Sequence, residues 1–189
     1  MLFPRRIGFS GTPSDLMPVE LGSCDYEKCA DGQMFYKLTS TVICSHQMIG
    51  DNWSVSSLLD IIAKGTWSAL IDVGALVTGL SNYDVAKYLL DNGLPWCDGV
   101  VFLDDMDRKM ILVRATGRVV KLSQCGIPEE RRFAFYDQVH TTGMDIRHKL
   151  DAVAILTIGK DMTWRDYAQA AYRMRGIGKG QGIRLFIIP

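Results

Sequence analysis

From about Thr39 onward, short apolar runs alternate with segments of helical spacing, and that alternation limits the possible folds more than any other feature. "TSTVICSH" is β-branched and apolar, and "SALIDVGALVTG" is an apolar run of the buried-strand type. "RRFAFYD", "AVAILTIG" and the closing "GIRLFIIP" read as further strands. Between them "VSSLLDIIAKG" has helical spacing and a glycine stop. "SNYDVAKYLLDNG" predicts a helix with Ser81 as N-cap, Asp84 three residues on, apolar Val85, Tyr88 and Leu89, and Gly93 beyond its end. "TWRDYAQAAYRMRG" predicts another, capped by Thr163 and stopped at Gly176. "DGVVFLDDMDRKMILV" reads as a hairpin turning at Asp104–Arg108. Strands alternating with helices imply an α/β fold with a mostly parallel sheet and right-handed crossovers. Such sheets bind ligands at the loops leaving the carboxyl ends of their strands.

The 189 residues are enough for one α/β domain with a full core or a domain plus an extra hairpin. Hydrophobic residues make up 48% and charged residues 22%, as in an ordinary globular protein. Lys+Arg and Asp+Glu balance at 21 each, which argues against a surface devoted to duplex phosphate, although a local basic cluster can hide inside a neutral total. No apolar run approaches the ~20 residues needed to cross a bilayer, so no membrane partner is expected. "MLFPRRIGFSGTP" has no long apolar core ahead of a small-residue cleavage site, and the five cysteines are irregularly spaced. An intracellular, reducing setting is the expectation, cytoplasmic or nuclear. Residues 1–35 are rich in Gly, Pro, Ser and Asp with little periodicity, so 1–38 reads as a linker and 39–189 as the domain. The ends read as those of a segment cut from a longer protein.

Two stretches carry the functional expectation. "HTTGMDI" follows the strand "FAFYD", where a ligand loop belongs. Thr142 offers a hydroxyl, Gly143 lets backbone approach a ligand, and Asp145 can accept hydrogen bonds from sugar hydroxyls. A turn capping the next element is the plainer alternative. On the predicted helix Trp164–Arg175, Gln169 and Arg173 are four residues apart and share a face, with Arg175 beyond. A Gln and arginines at a domain edge suit phosphoryl transfer, where a guanidinium neutralises charge on the transferred group. Solvated arginines on an amphipathic helix are the alternative. "GIGKGQG" is not a phosphate loop, since Gly180 follows Lys179 and the segment leaves a helix to enter a strand.

Taken together, these pieces resemble the second RecA-like lobe of superfamily-two helicases and of the SecA-type motor. "IGFSGTPSD" looks like their third motif, which links the two lobes. "ALIDVGALVTGLSNYDVAKYLLDNG" resembles the opening of the second lobe, "VHTTGMDI" the fifth motif and "YAQAAYRMRGIGKG" the sixth. More narrowly, "FYDQVHTTGMDI" with "DYAQAAYRMRGIGKGQ" is similar to an uncharacterised conserved C-terminal region of very large eukaryotic proteins. An upstream region of those proteins carries a phosphate loop, and they are sometimes labelled ubiquitin hydrolase by automatic transfer. The resemblance implies a RecA-like lobe with a β-hairpin insertion that completes an ATP–Mg site against a preceding lobe of the same polypeptide. That lobe would supply the phosphate loop and the metal ligands, with none from this chain. Thr142, Gly143 and Asp145 become the nucleotide- and track-facing loop. Gln169, Arg173 and Arg175 become the catalytic rim, and the track is RNA, DNA or polypeptide. Tyr172 stands where the sixth motif has Gly, and Gly176 where it has its finger arginine. The finger is then supplied by Arg175 or by Lys179, or hydrolysis is lost.

Two other readings compete: a cysteine-type ubiquitin hydrolase and a non-catalytic interaction scaffold. Cys44, Cys97 and Cys125 with His140 are the candidates for thiol chemistry, although Cys44 and Cys97 sit in or beside apolar segments. Cys24 and Cys29 lack the second pair that a zinc site needs. "FLDDMD" reads as a solvated hairpin turn, and the four tryptophans do not interleave with basic residues as a base-stacking platform would.

Overall fold

Three helices begin on a side chain that folds back onto the first turn. Ser54 and Ser57 form a reciprocal capping box at α2 (Val55–Lys64), Ser81 and Asp84 at α3 (Asn82–Asn92), and Thr163 and Asp166 at α4 (Trp164–Ala171). Each box satisfies amide donors that the first turn leaves open, a contribution of about 1 kcal/mol. The computed structural model describes residues 29–141 and 144–188. The third-motif-like segment "IGFSGTPSD", Cys24, and the loop residues Thr142 and Gly143 lie outside the described residues.

Apolar runs supply the strands: β1 (Cys44–Met48), β2 (Ala69–Ile71), β3 (Gly99–Leu103), β4 (Lys109–Val113), β5 (Val119–Lys121), β6 (Arg132–Tyr136), β7 (Val153–Ile158) and β8 (Gly182–Ile187). They form one eight-stranded sheet in the order β1-β8-β7-β2-β6-β3-β4-β5. Pairing is parallel from β1 through β3 and antiparallel for β3–β4 and β4–β5. The fold among the described residues is thus α/β with a mostly parallel sheet, and the hairpin at Asp104–Arg108 extends one edge.

Successive side chains along each central strand feed opposite faces. Leu70, Val100, Phe102, Phe133, Phe135, Ile155 and Phe186 bury themselves against Leu58, Leu59 and Ile62 of α2 and Val85, Leu89 and Leu90 of α3. On the other face Ile71, Val101, Leu103, Tyr136, Leu156 and Ile183 meet Ala168, Ala170 and Ala171 of α4. Leu38 of α1 (Ala30–Thr39) joins the same core. Each fully buried Leu or Phe contributes roughly 2 kcal/mol. The helices on the first face approach so closely that a Cβ on Gly93 would lie 2.1 Å from the Ala63 carbonyl oxygen. Arg114, just past β4, donates to the carbonyls of Leu90, Gly93, Leu94 and Cys97 and so ties the hairpin to the end of α3.

Several boundaries differ from the sequence expectation. The 38/39 linker boundary falls inside α1, whose Leu38 is 3% exposed. β1 starts at Cys44 because Ser40 accepts turn bonds from Ile43 and Cys44, so the Thr-rich front of "TSTVICSH" is helix end and turn. β2 lasts only three residues because Asp72 turns its carboxylate onto the amides of Leu76 and Val77. β5, three residues long, extends the hairpin with no expected counterpart.

Candidate functional site

The rim expected from the two polar stretches is set by where α4 stops. The Tyr172 amide bonds to the carbonyls of Ala168 and Ala170, and the next bonds span three residues: Arg173 to Ala170, Met174 to Ala171 and Ile177 to Met174. This tighter winding accompanies the burial of Met174 and Ile177 in the core. The expected helix Trp164–Arg175 therefore ends at Ala171, and Gly176 is not its stop. The four-residue spacing of Gln169 and Arg173 gives them no common helix face, because Arg173 lies outside the helix. Gly176 instead donates its amide to the Gln181 side-chain oxygen (2.7 Å), closing the turn into β8.

Arg173 and Arg175 flank the buried Met174. Opposite them runs the loop after β6, pinned by Ile146, which is 3% exposed. Arg175 Nε donates to Asp145 Oδ1 at 3.2 Å. Arg173 Nη1 donates to the Met144 carbonyl, and Lys109 Nζ, from the start of β4, to the Asp145 carbonyl. The structure thus brings Asp145, Arg173 and Arg175 to one rim, although their segments are about thirty residues apart. Gln169 is half-buried on the last turn of α4, and the side-chain bonds to Asp145 among the described residues come from Arg175 and Lys109. Burial, and then the charge of Arg175, lower the Arg173 pKa from its usual value. Its Nε is buried and has no hydrogen-bond partner among the described residues. Lys109, Arg173 and Arg175 gather around the single carboxylate Asp145, which leaves the rim cationic. Tyr136 lies behind it, its hydroxyl sharing a 3.0 Å hydrogen bond with His148 Nε2. Burial pushes the Tyr136 pKa up and brings that of His148 down to about 4.

Two further polar clusters stand at the carboxyl edge of the sheet. Asp72, 2% exposed, accepts from the amides of Leu76 (3.0 Å) and Val77 (2.9 Å) and from Thr157 Oγ1 (2.7 Å). Thr157 Oγ1 accepts in turn from the Gly74 amide, and a Cβ on Gly159 would lie 2.5 Å from the Gly74 carbonyl oxygen. Burial raises the Asp72 pKa against those hydrogen bonds. In the second cluster, Asn82 Nδ2 donates to Asp137 and to the Leu103 carbonyl, and His140 Nδ1 meets Asp137. His140 Nε2 meets Asp107 in the hairpin turn at 2.8 Å. Burial opposes the charge on His140, but its hydrogen bonds to the Asp107 and Asp137 carboxylates outweigh it and its pKa ends above the usual value. Sequence reasoning missed both clusters. An Asp directly after the apolar "ALI" was the available signal for the first, whereas the His140 partner 33 residues upstream left no local mark.

Two of the three candidate thiols, Cys44 and Cys97, are buried. Cys97 is fully buried, donates to the Gly99 carbonyl (3.1 Å), and is pushed up to about 11 by burial. Burial also raises the Cys44 pKa. Both ring nitrogens of His140 are taken by carboxylates, leaving neither for a thiol. Among the described residues no three His, Cys, Asp or Glu side chains are grouped to hold a metal ion, and no helix is long and apolar enough to cross a membrane. No family model, curated protein or solved structure matches the chain.

Proposed function

We propose that this chain is the second RecA-like lobe of a two-lobed, helicase-like or SecA-like ATP-dependent motor. The observation that carries the reading is the meeting of Asp145 with Arg173 and Arg175 at one cationic rim. Here the loop after a central parallel strand faces the turn that follows the helix of the next crossover. ATP with its magnesium ion binds between this rim and a preceding lobe of the same polypeptide that supplies the phosphate loop and metal ligands. Arg175, more than half exposed, swings from Asp145 to the transferred phosphoryl group, while Arg173, half-buried and short of one partner, orients it. Thr142 and Gly143 complete the nucleotide loop, and Gln169 senses its closure. Opening and closing of the lobes moves a track of RNA, DNA or polypeptide.

The test is steady-state ATP hydrolysis by the polypeptide carrying both lobes. Arg173→Ala and Arg175→Ala should each lower kcat by about a hundredfold or more, the scale of a lost phosphoryl-stabilising group. The isolated 189 residues should bind ATP weakly and hydrolyse none. An unchanged rate in both variants would overturn the reading in favour of a scaffold that keeps both guanidiniums on its own loop. That second reading draws on the same bonds, since both guanidiniums already rest on protein groups.

A further inference from the structure

The hairpin edge carries a feature that shares only Lys109 with the rim. A cavity of about 660 Å³ lies there, lined by Arg108, Lys109, Lys121, Leu122, Ser123 and Arg147. It opens on the sheet face that holds α1 and α4, since Ile111, on the same side of β4 as Lys109, belongs to that core and Leu122 packs against it. The four cations come from three separate segments: the start of β4, the end of β5, and the chain just past Ile146. No carboxylate among the described residues lines the cavity. Arg108 is paired with Asp104 at 2.7 Å, and Lys109 reaches the Asp145 carbonyl. Lys121 and Arg147 are exposed and hold no ion pair with any described residue.

With Arg108 offset by Asp104, the charges of Lys109, Lys121 and Arg147 still repel one another across one concavity, and a ligand with several closely spaced negative charges relieves that repulsion. The net charge of the whole chain is zero, so this is a local concentration and not one part of a generally basic surface. Arginine grips a phosphate with a bidentate fork, lysine adds a point charge, and the Ser123 hydroxyl adds a donor. No aromatic side chain among the described residues lines the cavity, so it lacks the ring platform on which bases usually stack, and its cations favour phosphate over base. The volume is that of a small-molecule pocket. We propose that this cavity binds a compact polyphosphate, a small molecule with several adjacent phosphate groups. Lys109 is common to the cavity and the rim, but the proposal does not need the ATP reading, because neither Arg173 nor Arg175 lines the cavity.

Calorimetric titration of inorganic tripolyphosphate into the 189-residue chain tests it. Saturable one-to-one binding is expected, weakened about tenfold by Lys121→Gln and about tenfold by Arg147→Gln, each removing one charge-assisted contact. Arg173→Ala with Arg175→Ala should leave it unchanged, which separates this site from the nucleotide rim. Both neutralised side chains are exposed, and unchanged thermal melting of the variants assigns any loss to the cavity. Binding of inositol hexakisphosphate that the same variants weaken supports a soluble ligand. Variant-sensitive binding to phosphatidylinositol bisphosphate vesicles, with none to inositol hexakisphosphate, supports a lipid headgroup as the source of the phosphates. The proposal is overturned if tripolyphosphate does not bind, if the two variants bind it as wild type does, or if oligothymidylate binds more tightly than tripolyphosphate.

Discussion

Asp72 and Asp145 both directly follow an apolar residue in a loop leaving a central strand, yet their surroundings differ sharply. Asp72 is buried and holds three donors, one of them a threonine 85 residues away. Asp145 has a side chain 54% exposed and takes a single side-chain bond from Arg175. A buried carboxylate with a full set of donors holds backbone in place. An exposed one beside surplus cations remains free to exchange partners. The two positions therefore separate what maintains the carboxyl edge from what can meet a ligand there, and mutation should divide them by stability.

The largest effect is expected at the interior position. Asp72→Ala strands the amides of Leu76 and Val77 and the Thr157 hydroxyl, and leaves the close Gly74–Gly159 contact without its brace. Buried donors left open cost about 1–3 kcal/mol each, so a loss of roughly 4 kcal/mol is expected by urea denaturation. A loss below about 1 kcal/mol would show that solvent reaches this loop, and the contrast with Asp145 would fail.

His148 gives an intermediate effect that appears only in acid. Its folded pKa of about 4 lies below the ordinary 6.5, so between those values the unfolded chain takes up a proton that the fold excludes. Stability present above pH 6.5 is lost as the pH falls, and the loss levels off near pH 4. At ~1.4 kcal/mol per pKa unit the total is about 3 kcal/mol. His148→Gln, which keeps a neutral partner for Tyr136, should remove this slope. The measurement is the difference between the two proteins across that range, because other groups also titrate there. His140 should show the opposite sign, its contribution being full below pH 6.5 and lost as the pH rises through its raised folded pKa.

How far the sequence reveals these regions depends on how local their causes are. Ser81 with Asp84 and Thr163 with Asp166 announce their helices because both halves of each capping box lie within one turn. The hairpin at Asp104 is equally local, its carboxylate accepting from the amides of Met106 and Arg108. The end of α4 is not legible, because burial of Met174 and Ile177, a tertiary event, tightens the chain there. Asp72 and His140 each also bond a distant partner, 85 and 33 residues away, beyond any periodicity. Asp145 and Arg175 are also 30 residues apart, and only the order of the motifs placed them together in advance.

The smallest effect is expected at the rim, and it decides between the two readings of its arginines. The Arg175–Asp145 pair has side chains 59% and 54% exposed at 3.2 Å, geometry for which water competes strongly. Exposed pairs contribute about 0.2–1 kcal/mol. A double-mutant cycle with Arg175→Ala and Asp145→Ala should therefore give a coupling below about 1 kcal/mol in thermal or urea unfolding. Such weak coupling means that a phosphate can draw the guanidinium away at little energetic cost, as a catalytic arginine requires. A coupling above about 2 kcal/mol, the range of desolvated pairs, would make the ion pair a structural clasp. Arg175 would then be no more available than the donors around Asp72, and the scaffold reading would be favoured.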